Sequence, residues 1–536
     1  MQPLHESKPA PQLLQSRILR FAVCTIAVLP YLSITIHHYV SGNAVPTGFI
    51  QWDLPYYGAN GRAVFERGNE LAYPNPYDPS TDAPVIYFHW FVWVLGFGIV
   101  KLGLDPGAWF FGLGVAASLL CAFLTLRLVE IILPQTRFRT FLYLLTMWGG
   151  GFFCLGRAVA NVAEGRPLAD HLLAYDPFEG GWFLNWGRNL TIPTEALYHA
   201  LVVASWISVL RDNWSLALFA AGAMASTHPF TGLQLLLGLF IWSSWLLVKE
   251  RSSRRLVCFL ALVLMLALFA WYYGFFLESY PQHREIRKVW SLNWTLGLLT
   301  TVLAYGPVGA LALGRLFCRR PSLDSAVSFF VTTFLVSYLL ANHHWFTTPR
   351  QPLHFTHGYI WMPLWLIGLP FLQEQLIVWR RRLPTLAWAF ASTGLFAMGV
   401  SDNAVYLADK WSQPTLGLYL SRDGWNMLRW MRDSHLEGVL FSQDEDLSYL
   451  SATYTSLRPY YGHYYNTPRY ALRRAESNAF FIDGRAGNWL AGTNYILVDR
   501  PFTTRTLEIL RHIDARPWHI LYENGAYSLL AFKEHT

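Results

Sequence analysis

The sequence predicts a polytopic α-helical membrane protein of roughly eleven to thirteen transmembrane helices, followed by a small α/β domain outside the membrane. Three observations carry that class. Of 536 residues, 53% are hydrophobic and 14% charged, where soluble domains carry about a quarter charged. The deficit falls in repeated apolar runs of about twenty residues, the length that crosses a hydrocarbon core, and each run satisfies its backbone there only as a helix. Beyond Ala408 the chain turns polar and reads as alternating short strands and helices.

The candidate spans lie near 18–39, 85–104, 108–126, 140–159, 194–210, 214–227, 230–248, 256–276, 295–317, 326–341, 359–379 and 386–408. The 24 Trp gather near the ends of these runs, as interfacial belts do. The first run is too long for a signal-peptide core and no small-residue cleavage site follows it, so it is expected to remain as the first helix. The net charge is +7, but Lys and Arg collect in short loops between apolar runs. That is topology information rather than a nucleic-acid footprint, and no nucleic-acid partner is expected. Cys24, Cys121, Cys154, Cys258 and Cys318 all lie in or beside apolar runs, which leaves no disulfide framework or cysteine metal site to read.

Basic loops orient the chain. Lys8, Arg17 and Arg20 place the N-terminus inside, and Lys249, Arg251, Arg254 and Arg255 mark a second cytoplasmic loop. So do Arg315, Arg319 and Arg320, then Arg380, Arg381 and Arg382. Alternation puts 41–84, 160–193, 277–294 and 342–358 outside, together with the chain from about 409 onward. Arg127, Arg137 and Arg139 conflict with this, because two apolar runs separate them from the first outside loop where parity needs an odd number. Either one run crosses incompletely or this loop breaks the charge rule. Two domains are expected, 1–408 in the membrane and 409–536 outside it.

In the tail, Trp425–Asp433 reads as an amphipathic helix with Asp423 or Ser421 as its cap. The stretches 438–442 and 495–498 read as buried strands, with a helix at 503–513. His519 to Glu523, Asn524-Gly525, then Ala526 to Phe532 is a hairpin signal, since Asn-Gly suits a type I′ turn.

The first outside loop is the most informative segment. It begins Gln51-Trp52-Asp53-Leu54-Pro55-Tyr56-Tyr57, a carboxylate a short distance past a membrane helix. Residues 58–68 then read as a short surface helix ended by Gly68. Tyr73-Pro74-Asn75-Pro76-Tyr77-Asp78-Pro79 is an extended, proline-stiffened lead toward the second span. This arrangement resembles the GT-C superfamily of membrane glycosyltransferases, which includes protein O-mannosyltransferases, aminoarabinose transferases and oligosaccharyltransferases. The likeness covers the whole chain in layout and about thirty residues in motif. The sequence departs from the family's Tyr-Pro-Pro-Leu type of approach to the second helix, having Ala83-Pro84-Val85-Ile86-Tyr87 instead. The subfamily, and with it the sugar, stays open.

The resemblance implies a polyprenyl-phosphate sugar donor and a glycan, lipid or protein acceptor. It also implies an active face outside the cytoplasm, among membrane lipids. A bacterial inner (plasma) membrane is the expected location. Asp53 is the expected catalytic base, since glycosyl transfer needs a base near the acceptor hydroxyl. One carboxylate serves an inverting displacement, because attack and departure lie on opposite faces. The plainer alternative is a capping or solvated loop carboxylate.

The departing phosphate gathers negative charge and needs cations or donors to meet it. The loop 342–358 supplies Arg350, His354 and His357 on the expected outer side, and Arg287, with Arg284 and Lys288, is the other candidate set. The alternative is interface snorkelling or helix capping. Tyr56, Tyr57, His228, Asp176 and Glu195 are the acceptor or cavity candidates; His228, before Pro229, reads equally as a turn residue. No metal ligand set is assigned. A divalent ion stays open for the second acidic loop, and zinc between His354 and His357 would lack a nearby carboxylate or Cys. Two other functions compete: a transporter or lipid-glycan flippase, and a non-catalytic assembly protein of the envelope. The absence of an internal repeat, and the crowding of ionisable groups into outside loops, favour the enzyme.

Overall fold

A computed structural model describes residues 16–532 apart from 41, 43, 134, 136, 177–183, 290–294, 319–324 and 415. Lys8, Arg319 and Arg320 lie outside the described residues. The chain is mostly helical and forms an integral membrane protein with a C-terminal sheet domain. Among the described residues, five helices are long and apolar enough to cross a bilayer: Arg17–Val40, Pro106–Ile132, Pro229–Glu250, Ser253–Ser279 and Leu298–Phe317. A sixth span arises if Arg139–Trp148 and Phe153–Ala163, bent by 66° at their junction, count as one.

Most of the other expected spans are also helices, but shorter or more polar ones. Trp361–Arg382 ends in three arginines, and Thr385–Ser412 carries Asp402, Asn403, Asp409 and Lys410. The expected span at 85–104 is helical only over Trp90–Lys101, because Tyr87 is drawn into an extended bridge with Tyr73. Twelve helical residues rise about 18 Å, well short of a hydrocarbon core of about 30 Å. Of the two explanations for the misplaced Arg127, Arg137 and Arg139, this length supports incomplete crossing.

The chain divides into two compact units, one built from the chain up to Ile34, Gly114–Ala267 and Leu292–Ser412, the other from Thr35–Leu113, Leu268–Ser291 and the chain from Gln413 on. In the first unit the bent helix has a clear cause. Gly149-Gly150-Gly151 interrupts the helical run, and Asp402 and Asn403 satisfy the backbone groups so exposed. The Asp402 carboxylate accepts from the amides of Gly151, Phe153 and Cys154 at 3.0, 3.2 and 2.8 Å. The Asn403 side-chain amide donates to the carbonyls of Trp148 and Gly149 at 2.9 Å each. An anion at a helix N-terminus is favourable both as a cap and against the helix dipole.

In the second unit the first outside loop and the C-terminal segment fold together. Strands β1 (Val45–Pro46) and β2 (Tyr419–Leu420) pair antiparallel. The surface helix Pro55–Glu66 starts on a proline, where a missing N–H costs nothing. It lies against Trp90–Gly96 so closely that a Cβ on Gly61 would sit 2.7 Å from the Gly96 nitrogen. The tail forms β3 (Glu437–Ser442), β4 (Ser456–Pro459), β5 (Tyr495–Asp499), β6 (Trp518–Glu523) and β7 (Tyr527–Phe532). Their order is β4-β3-β5-β7-β6, with β4, β3 and β5 parallel and the last two antiparallel. Phe441, Ile496, Val498, Leu510 and Leu530 bury the core of this sheet against Phe480 and Trp489.

The expected strands, the helix Thr503–Ile513 and the hairpin are present. Ser421 is the cap of Arg422–Asp433, its hydroxyl accepting from Gly424 N at 3.0 Å. The hairpin turn differs from expectation. Neither Asn524 nor Gly525 has the positive φ a type I′ turn needs. Instead a three-residue loop is held by the Asn524 side chain, which accepts from Ala526 N and Tyr527 N at 3.1 and 2.9 Å.

Candidate functional site

Asp53 sits in the turn between the first membrane helix and Pro55–Glu66. Leu54 N bonds back to Gln51 O at 3.2 Å and Tyr57 N to Leu54 O at 3.1 Å. Tyr449, on the helix Glu445–Tyr454, clamps this turn from both sides. Its hydroxyl donates to Trp52 O at 2.6 Å and accepts from Tyr56 N at 3.1 Å. Thr453, one helical turn on, donates to Pro55 O at 2.9 Å. The backbone around the carboxylate is thus set by the C-terminal segment.

The carboxylate itself has one side-chain partner among the described hydrogen bonds, His463. Oδ1 of Asp53 lies 2.9 Å from Nε2 of His463. On the far side of the ring, Nδ1 receives the Tyr465 amide at 3.2 Å and the Asn466 side-chain amide at 3.0 Å. A nitrogen that accepts cannot carry the ring proton, so the proton sits on Nε2 and is donated to Asp53. His463 is 3% exposed at its side chain, while Asp53 is 47% exposed. A buried neutral imidazole therefore orients a carboxylate whose remaining lone pairs face outward. Aromatic rings enclose the imidazole: Tyr464 stacks on it at 5.3 Å, with Tyr449 at 5.4 Å, Tyr56 at 5.5 Å and Tyr77 at 6.2 Å. Tyr57 belongs to the adjacent cluster, stacked on Phe110 at 6.1 Å. Burial raises the phenols of Tyr56 and Tyr449, the latter well above the ordinary value, so both stay protonated donors.

The sequence reading singled out Asp53, Tyr56 and Tyr57 and missed His463 and Tyr449. Tyr460-Tyr461-Gly462-His463-Tyr464-Tyr465, an aromatic run around one histidine, is the signal that could have drawn attention to it.

Within the membrane unit the structure gathers other candidates into one buried cluster. Oε2 of Glu195 lies 3.0 Å from Nδ1 of His357 and 4.0 Å from Nε2 of His199. His199 Nδ1 pairs with the Tyr359 hydroxyl at 2.9 Å. The ring of His354 lies 5.2 Å from that of His357 and 5.0 Å from that of His228. His228 also caps Pro229–Glu250, accepting from Thr231 N at 3.2 Å, so its turn role holds beside its place in the cluster. Burial pushes the His354 imidazole down to about 3. It is neutral at physiological pH and offers a hydrogen bond, not a charge.

The remaining candidates separate. Arg350 is exposed, and its backbone N–H donates to His343 Nε2 at 2.7 Å. Arg287 pairs with Glu278 on the helix Pro281–Val289 side of the second unit. Asp176 is fully buried in an ion pair with the equally buried Arg188. Arg188 also donates to Asn403 Oδ1 at 2.7 Å and Asp402 O at 2.9 Å and lies over the Tyr406 ring. Asp176 thus serves the network that holds the bent helix, rather than opening onto a cavity. Among the described residues no three His, Cys, Asp or Glu side chains are placed to hold a metal ion.

No family model matches the chain, and no curated protein matches it. Solved structures do. The archaeal oligosaccharyltransferase AglB from Archaeoglobus fulgidus, in complex with an inhibitory peptide and a dolichol-phosphate, aligns with TM-score 0.51 at 10% identity over 91% of this chain and 70% of that one. The Archaeoglobus fulgidus oligosaccharyltransferase with Zn and sulfate aligns at 0.49, with 10% identity over 91% and 69%. ArnT from Cupriavidus metallidurans in the apo state aligns at 0.45, with 13% identity over 95% and 97%. At such identities the likeness is one of fold alone: this chain shares the fold of that archaeal oligosaccharyltransferase.

Proposed function

We infer that the chain is a membrane glycosyltransferase. It moves a sugar from a polyprenyl-phosphate-linked donor to an acceptor hydroxyl at the outer face of the membrane, with inversion and with Asp53 as general base. The observation that carries this reading is the Asp53–His463 pair: a half-exposed carboxylate oriented by a buried imidazole whose tautomer is fixed. The GT-C fold supports it.

In this mechanism Oδ2 of Asp53 accepts the proton of the acceptor hydroxyl as its oxygen attacks the anomeric carbon. The bond to the phosphate oxygen breaks on the opposite face, and the lipid phosphate leaves with the electron pair. His463 keeps its proton and holds the carboxylate in line. Arg287 lies in the same unit as Asp53, while the other groups proposed for the donor phosphate, Arg350, His354 and His357, and for the cavity, Glu195 and His228, lie in the first unit. Of these, exposed Arg350 is the best suited to meet a phosphate at the interface. No step passes through a metal.

Transport is the competing reading, and the bent helix is the feature that would favour it, since broken helices mark transporter sites. Asp402 and Asn403 make five hydrogen bonds to that break, which leaves little unsatisfied backbone for a substrate.

The test is a purified-protein assay with short-chain polyprenyl-phosphate sugars. Asp53→Asn, folded as judged by its melting curve, should lose turnover by about 100-fold or more, the range for a general base. Wild-type turnover in the Asn variant would refute the assignment.

A further inference from the structure

The segment 75–80 has two sides. On one, the Tyr77 ring stands 6.2 Å from those of Tyr56 and His463, in the wall around Asp53. On the other, Asp78 lines a separate cleft of about 500 Å³, together with Glu285, Tyr460, Arg469, Arg473, Asn488 and Trp489. That size lies in the ordinary range for small-ligand sites, about 300–1,000 Å³.

The two arginines are not equivalent. Arg473 is committed to the protein: it donates to Tyr77 O at 3.4 Å and Tyr460 O at 3.1 Å and approaches Asp78 at 3.9 Å. Arg469 is exposed and, among the described residues, joins no ion pair. It is also held at φ 53°, in the left-handed region, as the cap of Tyr470–Asp483. A non-glycine residue is strained there, and such strain gathers at functional sites. Trp489 also lines the cleft. It is 8% exposed, and its indole N–H has no acceptor among the described residues, although buried donors are as a rule satisfied.

We propose that this cleft binds an anionic saccharide: a stretch of the acceptor glycan bearing a carboxylate or phosphate. Arg469 meets the anion, the Asn488 side chain meets hydroxyl oxygens, and the Tyr460 ring offers an apolar face. The assignment rests on the transfer reading for calling the saccharide an acceptor; the binding itself does not.

Full-length protein in detergent is titrated by calorimetry with tetragalacturonate, with mannose 6-phosphate, and with maltotetraose as the neutral control. The expected result is binding of one or both anionic probes at least about tenfold tighter than maltotetraose, with loss of that advantage in Arg469→Glu. Arg469→Gly relieves the backbone strain while removing the charge, so it should stay folded and also lose the preference. The tetragalacturonate and mannose 6-phosphate arms separate a carboxylate from a phosphate. Equal binding of neutral and anionic probes, no binding at all, or a preference unchanged in both variants would overturn the proposal. The titration contains no donor and so reads the cleft alone; probe binding by a protein that shows no turnover in the polyprenyl-phosphate-sugar assay would sink the transfer reading alone. Transfer without probe binding would sink the cleft alone.

Discussion

Asp53 and His463 stand 410 positions apart in the chain, and their side chains meet at 2.9 Å. The carboxylate comes from the first outside loop and the imidazole from the C-terminal domain. That domain is therefore part of the candidate site and not an appendage to it. The acceptor bonds from Tyr465 and Asn466 make the imidazole a donor, which gives the pair a direction and makes it testable.

His463→Ala should lower turnover by about tenfold while leaving KM for donor little changed, because the imidazole positions the base without itself taking the proton. His463→Gln, which can still donate through its amide, should recover part of the loss. A steady-state kcat and KM comparison of the two variants decides it; equal defects in both would argue against a positioning role.

Tyr449→Phe removes one hydroxyl that serves both Trp52 O and Tyr56 N. Two backbone groups lose their partner, at a cost of about 1–2 kcal/mol. The melting temperature should fall, and turnover should fall with it because the Asp53 turn is loosened. A stability loss with unchanged turnover would separate the clamp from the site.

Arg188→Met leaves Asp176 buried without its partner, which should destabilise the membrane unit by about 3–5 kcal/mol. Arg188→Met with Asp176→Leu should recover most of that, since the buried pair removed together costs far less than one charge left alone. Detergent unfolding curves for the single and double variants measure the difference.

Asp402→Ala strips the acceptor from three amides at the start of Phe153–Ala163. The expected loss is on the order of 2–3 kcal/mol. Protection of residues 151–154 in hydrogen exchange should fall most sharply; protection equal to wild type would mean the cap is dispensable.

Asp446 gives a pH prediction. Burial, with Asp444 and Glu445 beside it, raises its carboxyl from 3.8 to about 6 in the folded state. The folded protein then holds a proton that the unfolded chain releases, so the contribution is fully present below pH 3.8 and is lost as pH rises through about 6. Stability measured by melting should decline over that window, and Asp446→Asn should flatten the decline.

Much of this was legible in the chain. Apolar runs with their flanking basic residues announce membrane helices, since lipid leaves a polar backbone no other choice. Asp53 stood out because of its place after the first helix, and the strands of the tail through alternation and turn residues. The turn at Asn524 escaped, because a side chain bonding two local amides competes with the mirror-image turn that Asn-Gly usually signals. Asp176 was one of several acids in a polar segment, and nothing local separates a solvated one from one paired with Arg188. The expected span 140–159 runs through Gly149-Gly150-Gly151, where glycine weakens a helix without saying that it breaks. It takes Asp402 and Asn403, about 250 residues on, to make the break stable.

By itself the sequence determined the class of solvent the chain lives in and the local elements, because burial pattern, propensity and turn chemistry act over a few residues. Only the tertiary structure decided which carboxylate is oriented by an imidazole, which is consumed by an arginine, and which histidines gather around Glu195. Those outcomes depend on hydrogen bonds of about 3 Å between residues far apart in the chain, and such distances are set by packing, which no local pattern encodes.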